Sequence, residues 1–233
     1  MLSGIFITGT DTGVGKTYVA AGFAAALRKR GKHPGVMKPV ETGCRIRAGK
    51  LVPKDALRLI QASGVRDALG LVNPYRFRTS LAPFVAAEIE GGTIEPQKII
   101  QAYRTLSRRH DFMIVEGAGG IMVPLSEKYL YRDLAREMNL PVVIVARPGL
   151  GTINHTLLTI TALREQGVSI AGVVFNYTQD QHIGLAEETN PVIINTLTGI
   201  NILGTVPYRA KGFDRLVDKL QEDDLWVDKA YRD

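Results

Sequence analysis

The sequence is short of cysteine and of long apolar runs, and each shortage excludes a class of protein. Its 233 residues contain one cysteine, Cys44, which rules out an internal disulfide and a cysteine-cluster metal site and fits a reducing cytoplasm. No window approaches the roughly 18 unbroken apolar residues that a membrane span needs. The first ten residues lack a basic leader, so we interpret their apolar run as a strand rather than an export signal. We expect a cytoplasmic protein without a membrane partner.

The charge balance is basic, but the basic residues are scattered. Lys and Arg number 29 against 23 Asp and Glu, which gives a formal net charge of +6. The groups RKRGK at 28–32 and RR at 108–109 are short and have no interleaved aromatic residues, so we expect an anionic small molecule rather than nucleic acid as the ligand. No linker divides the chain, and we interpret residues 1–233 as a single domain.

Apolar runs rich in β-branched residues alternate with helical stretches. The predicted strands are GIFITG (4–9), GVMKPV (35–40), FMIVEG (112–117), PVVIVA (141–146), IAGVVFN (170–176) and NILGTVP (201–207). The main predicted helices cover residues 16–31, 95–110, 131–139 and 153–167. This alternation predicts an α/β fold with a mainly parallel sheet and helices on both faces. The tail at 221–233 carries no clear signal.

The segment GTDTGVGKT, residues 9–17, departs at one position from the phosphate-binding pattern G-x-x-x-x-G-K-[ST]. The pattern's first glycine falls at Thr10. A predicted strand precedes the segment and an alanine-rich helix follows it, so main-chain N–H groups and the helix dipole converge on one spot that suits an anion. We expect Lys16 to reach the β- and γ-phosphates of a nucleotide and Thr17 to bind Mg²⁺. The alternative is a structural turn that binds nothing.

Three further polar residues lie where a nucleotide site needs them. Glu116 ends the strand FMIVEG at the carboxyl edge of the sheet, where a carboxylate partner for Mg²⁺ is expected, although a solvated strand end is the alternative. Asp55 opens a helix and by itself is better interpreted as an N-cap. Lys38 follows the second strand, where it is either a solvated terminus or a functional cation.

Several motifs, in this order and spacing, resemble the dethiobiotin synthetase family. They are GTDTGVGKT, KPVETG (38–43), KDA (54–56), NPY (73–75), VEGAGG (115–120), GTINHTLLT (151–159) and VVFN (173–176). The family's loop likewise has threonine at the altered glycine position. The resemblance runs from about residue 4 to about residue 208 and implies a P-loop NTPase fold. It also implies an ATP-dependent ligase of biotin biosynthesis, which converts 7,8-diaminononanoate and CO2 into the cyclic urea dethiobiotin through a carbamate and a carbamic-phosphoric anhydride.

The resemblance further implies a role for individual residues. Lys16 and Lys38 would be catalytic cations, and Thr17, Asp55 and Glu116 would bind Mg²⁺. The implied ATP and metal contacts are Gly13, Val14, Gly15, Lys16, Thr17, Asp55, Glu116, Gly117, Ala118, Gly119, Asn176, Val206, Pro207 and Tyr208. The implied substrate contacts are Thr12, Thr42 and, from the partner subunit of a homodimer, Gly151, Thr152, Ile153 and Asn154. The chain departs from the family at Lys211, where an acidic residue often contacts ribose. His155, a lone histidine at a helix start, stays outside the predicted site.

Two other classes share parts of this pattern. Positioning ATPases of the ParA and MinD type have the same fold, but they carry a second lysine just after the first loop glycine. This chain has Asp11 at the corresponding position, which argues against that class. Amidotransferase-type synthetases such as cobyrinic acid amide synthases need an added domain with a catalytic cysteine. A nucleotide-binding module without catalysis is a third alternative.

Overall fold

The protein is built around one six-stranded sheet, seen in a computed structural model that describes residues 4–180 and 183–222. The strands are β1 (Gly4–Gly9), β2 (Pro34–Met37), β3 (Val40–Glu41), β4 (Arg45–Arg47), β5 (Lys50–Val52), β6 (Tyr75–Arg76), β7 (Phe112–Gly120), β8 (Pro124–Ser126), β9 (Tyr129–Leu130), β10 (Val142–Ala146), β11 (Ile170–Asn176) and β12 (Ile202–Val206). The helices are α1 (Lys16–Lys29), α2 (Lys54–Ser63), α3 (Leu69–Val72), α4 (Pro83–Ile89), α5 (Pro96–Ser107), α6 (Tyr131–Glu137), α7 (Thr152–Glu165), α8 (Leu185–Thr198) and α9 (Asp214–Glu222). The rest of the tail, from residue 223, lies outside the described residues.

The large sheet is parallel throughout, in the order β12, β11, β10, β1, β7, β2, and confirms the predicted fold class. Adjacent side chains of β1 point to opposite faces. Ile5 and Ile7 pack with α1, α2 and α9, whereas Phe6 packs with α5, α6 and α7. Both faces are therefore covered by helices, which explains the nearly continuous apolar strands. Among the described residues, no helix is both long and apolar enough to cross a membrane.

Two predicted strand ends were wrong by three residues: β7 continues from the predicted residue 117 to Gly120, and the second predicted strand is divided. The run GVMKPV at 35–40 was expected to form one strand, but β2 ends at Met37 and the separate short strand β3 pairs with β6. Pro39 has no N–H to donate to a neighbouring strand. The Lys38 amide instead donates to the Val72 carbonyl at 2.8 Å, and the buried Asn73 side chain donates to the Lys38 carbonyl at 2.7 Å. Lys38 is thus held just beyond the sheet, where its side chain can enter the cleft.

Residues 41–94 contain several regular elements. An antiparallel hairpin joins β4 to β5, and α2 and α4 are regular helices. Two of these elements, α2 and α4, contribute Asp55, Arg58 and Pro83 to the lining of the cleft described below.

Candidate active site

The loop between β1 and α1 has the conformation of an anion cradle. Gly13 and Gly15 have φ angles of 78° and 91°, in the left-handed region that favours glycine. A Cβ atom on Gly15 would lie 2.1 Å from the Asn176 side-chain nitrogen, so glycine is needed there for space as well. Thr10 is not among the residues with positive φ, and its amide donates to the Val145 carbonyl at 3.0 Å. The altered position of the motif therefore does not require glycine.

Lys16 lies inside this loop with only 7% of its surface exposed. Its ammonium donates to the Asp11 carbonyl at 3.0 Å. Burial, followed by repulsion from Lys38, lowers the pKa of Lys16 to about 8, against the opposing effect of nearby carboxylates. A bound phosphate anion favours the ammonium form of Lys16, so such a ligand would stabilise the charge of this buried lysine.

Glu116 is the centre of a buried cluster of polar groups. Its Oε1 accepts from the Thr17 hydroxyl at 2.7 Å and from the Lys38 ammonium at 2.6 Å. The same ammonium lies 3.1 Å from the Gly117 carbonyl and 3.4 Å from Asp55 Oδ2. Glu116 Oε2 is buried and has no hydrogen-bond partner within the described part of the chain. The four side chains predicted from separate motifs are therefore in direct contact.

Burial excludes the alternative interpretation of Glu116 and Lys38 as solvated residues at strand ends. Glu116 is fully buried and Lys38 is 3% exposed, so neither is a solvated strand end. Burial by itself lowers the pKa of Lys38, but the Glu116 and Asp55 carboxylates outweigh it and raise the pKa. Lys38 is therefore a permanent ammonium group at neutral pH.

The N-cap interpretation of Asp55 is wrong. The N-cap of α2 is Pro53, and Asp55 is the second residue of the helix. The two oxygens of the Glu41 carboxylate instead accept hydrogen bonds from two amides in the first turn of the helix, those of Asp55 and Ala56, each at 3.0 Å. The Asp55 carboxylate is left to face Lys38. Sequence reasoning missed Glu41 because no local pattern connects a strand residue to amides 14 and 15 positions later.

The cluster opens into a cleft of about 650 Å³. Thr12 and Thr42, the two predicted substrate contacts from this chain, both line it, together with Lys16, Thr17 and Lys38. Residues that line the cleft without having been predicted include Tyr18, Glu41, Arg58, Ser80 and Val123. Val14 and Gly117 are not in the lining, since Val14 is fully buried and Gly117 contributes its carbonyl to Lys38.

A smaller cavity of about 240 Å³ adjoins the cleft. Its lining consists of Gly15, Tyr18, Asn176, Tyr177, Thr178, Tyr208 and Arg209. Asn176 is 1% exposed; its Nδ2 donates to the Val14 carbonyl at 2.9 Å, and its Oδ1 has no partner in the described structure. Of the predicted segment 206–208, only Tyr208 is in the lining. Val206 is buried and its carbonyl accepts from the Tyr177 amide at 3.0 Å.

The turn that begins α7 lies away from the cleft of its own chain. Gly151 has a φ of 86° and is the N-cap of the helix. The Thr152 amide donates to the Gly149 carbonyl at 3.2 Å, and neither Ile153 nor Asn154 lines the 650 Å³ cleft. Thr152 and His155 instead line a separate cavity of about 370 Å³. The predicted role of residues 151–154 therefore depends on a second subunit.

Fold and site together define a P-loop nucleotide-binding protein. The loop follows the central strand of a parallel sheet, its lysine enters an anion cradle, and its threonine is bonded to a carboxylate from the neighbouring strand. A family model described as an AAA domain matches residues 3–212.

Curated relatives narrow this class to one family. The ATP-dependent dethiobiotin synthetase of Thermodesulfovibrio yellowstonii is 41% identical over 89% of this chain and 90% of its own length. Proteins of the same name from Methanocaldococcus jannaschii and Bacillus subtilis are 43% and 40% identical, over 88% of this chain and over 94% and 87% of their own lengths. The chain belongs to the dethiobiotin synthetase family.

Solved structures of the cell-division ATPase MinD share the fold. The Pyrococcus furiosus protein has a TM-score of 0.54 at 16% identity, over 94% of this chain and 98% of the other. The Aquifex aeolicus MinC:MinD complex has a TM-score of 0.54 at 18% identity, over 92% and 85%. At this identity the likeness extends to the fold alone, so it does not favour the switch-ATPase alternative.

Proposed function

We propose that the protein is an ATP-dependent ligase that closes a cyclic urea on 7,8-diaminononanoate with CO2, releasing dethiobiotin, ADP and phosphate. The observation that carries this proposal is the contact of Lys38, Glu116 and Thr17 beside Lys16, at the floor of a cleft whose walls include Thr12 and Thr42. Membership in a family of enzymes named for this activity supports it. The free, buried Cys44 suits the reducing cytoplasm in which we place the reaction.

Three oxygen-bearing side chains fit Mg²⁺. The ion prefers six oxygen ligands and usually takes one or two carboxylates, with water and phosphate oxygens in the remaining positions. Glu116 Oε2 is a buried acceptor without a donor, and Asp55 and Thr17 supply further oxygens around the same point. No group of three or more His, Cys, Asp or Glu side chains in residues 4–180 and 183–222 could hold a metal by itself. Mg²⁺ would therefore be shared with the nucleotide, whose phosphate charge it would neutralise.

The reaction has three steps. One amine adds to CO2 and loses a proton, which forms an N–C bond and a carbamate anion. A carbamate oxygen then attacks the γ-phosphorus, the bond to ADP breaks, and a carbamic-phosphoric anhydride results. The second amine attacks the carbamate carbon, expels phosphate and loses a proton, which closes the urea.

The two lysines would stabilise the charge that moves during these steps. Phosphoryl transfer depends mainly on positioning and charge neutralisation, and no protein nucleophile is required. Lys16 lies in the loop that would hold the β- and γ-phosphates. The Lys38 side chain is held by Glu116, and its main chain is held by the Val72 carbonyl and the Asn73 side chain. Lys38 is therefore preorganised to meet the carbamate and the transferring group.

The smaller cavity suits an adenine base. Asn176 Nδ2 donates one of its two N–H groups to the Val14 carbonyl, and the unpaired Oδ1 is the acceptor that this side chain offers a ligand. An acceptor pairs with the 6-amino group of adenine and repels the 6-oxo group of guanine. We therefore expect ATP to be preferred over GTP.

An apolar surface on α7, α8 and the turns before them supports a homodimer. α7 packs against α8, and the exposed apolar residues of this surface are Leu150, Leu158, Ile183, Leu185, Val192, Ile193 and Leu197. An apolar surface of this kind is characteristic of protein interfaces. The turn at 151–154 adjoins it, so a second copy would bring its own turn toward the substrate.

Product analysis tests the reaction. The protein is incubated with the diamine, bicarbonate and MgATP, and phosphate release is measured together with the cyclic urea by mass spectrometry. Both products should require the diamine. Phosphate release that is independent of the diamine and yields no urea would instead identify a switch-type ATPase.

A further inference from the structure

Arg58 is a cleft residue that the proposed reaction leaves without a role. It lies on α2 three positions after Asp55, so the two side chains share one face of the helix. Both line the 650 Å³ cleft. The Glu41 carboxylate fixes the first turn of this helix through two amides, and the position of Arg58 is therefore defined by the same contact that places Asp55.

The Arg58 guanidinium is stacked on Tyr18. Its central carbon lies 5.3 Å from the centroid of the ring, within the range of a cation–π contact. The ring itself is immobilised, because its hydroxyl donates to the Ala210 carbonyl and its edge packs against Phe213 at a centroid distance of 5.7 Å. Within the described chain, no carboxylate forms an ion pair with Arg58. The exposed guanidinium, at the lining of the cleft, therefore has N–H donors to offer an anionic ligand.

Tyr18 lies at the junction of the two cavities. Gly15 and Tyr18 line both the 650 Å³ cleft and the 240 Å³ cavity, whereas Arg58 lines only the cleft. A nucleotide with its base beside Asn176 and its terminal phosphates at Lys16 must pass over Tyr18. The first phosphate after the ribose then lies on the cleft side of the ring, where Arg58 is stacked.

We propose that Arg58 is a nucleotide-binding residue that contacts the α-phosphate. This inference rests on the proposed function only in assuming ATP as the ligand. Lys38 is already paired with Glu116 and Asp55, and Lys16 serves the terminal phosphates, so the α-phosphate is the part of the nucleotide that lacks a side-chain cation. The planar fork of an arginine matches two phosphate oxygens, and the rigid ring below limits the entropy lost on binding.

The test is direct binding of ADP and of ATP, each with Mg²⁺ and without the diamine, to Arg58→Ala, Arg58→Lys and the unaltered protein. Both nucleotides carry the α-phosphate, so Arg58→Ala should raise both dissociation constants equally, by about tenfold, the scale of one charge-assisted hydrogen bond. Arg58→Lys keeps the charge but loses the fork, and should give an intermediate loss. The matched control is Lys54→Ala, which removes an exposed cation from the same helix outside the cleft lining and should bind as the unaltered protein does.

Three results would overturn the inference. A loss for ATP alone would assign Arg58 to the γ-phosphate. Unchanged binding of both nucleotides with a raised KM for the diamine would assign it to the substrate carboxylate. Unchanged values throughout would make it a solvated arginine. Because ADP binding is measured without the diamine, a protein that binds ADP but forms no urea contradicts the proposed reaction and leaves the Arg58 result readable.

Discussion

The two regions of the site that we assign to the phosphates and to the base of ATP are built in different ways. On the phosphate side, at the ends of β1, β2 and β7, Lys38 and Glu116 are almost fully buried and directly bonded. On the base side, at the ends of β11 and β12, the lining is a small cavity with Tyr208 still 39% exposed. Buried charges are tolerated only when they are paired, so the first region holds its geometry before any ligand arrives. The second depends on the shape of the base that enters it.

The turn at 151–154 extends this contrast. It has a fixed backbone but faces none of the cleft of its own chain. In the proposed homodimer, electrostatic preorganisation within one subunit would be combined with a wall supplied by the second subunit. The predictions below test how separate these regions are, from the largest effect to the smallest.

Lys38→Leu should produce the largest loss. It removes a fixed ammonium from the point where charge develops, and the loss of one such preorganised group lowers kcat by about a thousandfold. It also leaves Glu116 without its charged partner, so the thermal midpoint should fall. Steady-state kinetics and thermal unfolding measure both effects. ADP binding should persist, since Lys16 and the loop are unchanged; wild-type turnover in this variant would remove Lys38 from the mechanism.

Leu158→Glu should dissociate the proposed homodimer. The side chain is 62% exposed at the centre of α7, and a charge placed in an apolar interface at a central position costs 2 kcal/mol or more, which raises the dimer dissociation constant by about 30-fold. Sedimentation velocity over a dilution series measures this, and the KM for the diamine should rise with dissociation. Ile89→Glu, also 62% exposed but on α4, is the matched control. Equal behaviour of the two variants would place the dimer contact elsewhere.

The affinity for ADP should fall as the pH rises through about 8. Burial, with repulsion from Lys38, lowers the pKa of Lys16 to about 8 in the free protein, and bound phosphate favours the ammonium form. Above that pH the lysine must take up a proton on binding, so affinity falls by up to about tenfold per pH unit. Titration calorimetry in buffers of different ionisation enthalpy detects the proton uptake. A flat profile between about pH 7 and about pH 9 would contradict the lowered pKa.

Glu41→Gln should give the smallest effect, and it should change both the stability of the protein and its response to Mg²⁺. The variant keeps one acceptor for the amides of Asp55 and Ala56 and loses the charge, so we expect a destabilisation of about 1 kcal/mol, typical of a weakened helix cap. Urea unfolding measures it. The Mg²⁺ concentration needed for half-maximal activity should rise a few-fold because Asp55 is less well placed. Wild-type stability would show that the cap contributes nothing.

Much of the fold followed from local patterns. GIFITG and IAGVVFN form strands with the predicted bounds, because a continuous apolar run flanked by turn residues is stable only when covered on both faces. The prediction of one strand through Lys38 and Pro39 was wrong, because the Lys38 main chain is hydrogen-bonded to Val72 and Asn73 instead of to a neighbouring strand of the sheet. Those partners are more than 30 positions away, so no local pattern could reveal them.

The residues of the site likewise include some that local patterns predicted and some that only the tertiary structure revealed. Lys16 and Thr17 are identified by their place in a strand, loop and helix. Glu116 was identified by its predicted place near a strand end, although β7 continues to Gly120. The N-cap interpretation of Asp55 failed because the helix amides are satisfied by Glu41, a residue that approaches only when β3 folds beside α2. Arg58 has no motif at all, and its place beside Tyr18 is visible only in three dimensions.

The order of residues alone determined the parallel α/β class, the anion-binding loop and the family, because each is specified by the spacing of apolar runs, glycines and polar residues along the chain. Tertiary structure decided which side chains touch. Lys38 and Glu116 are 78 positions apart, and they meet because β2 and β7 are neighbours in the sheet. A contact between distant residues follows from the packing of whole elements, so the residues next to each partner in the sequence cannot predict it.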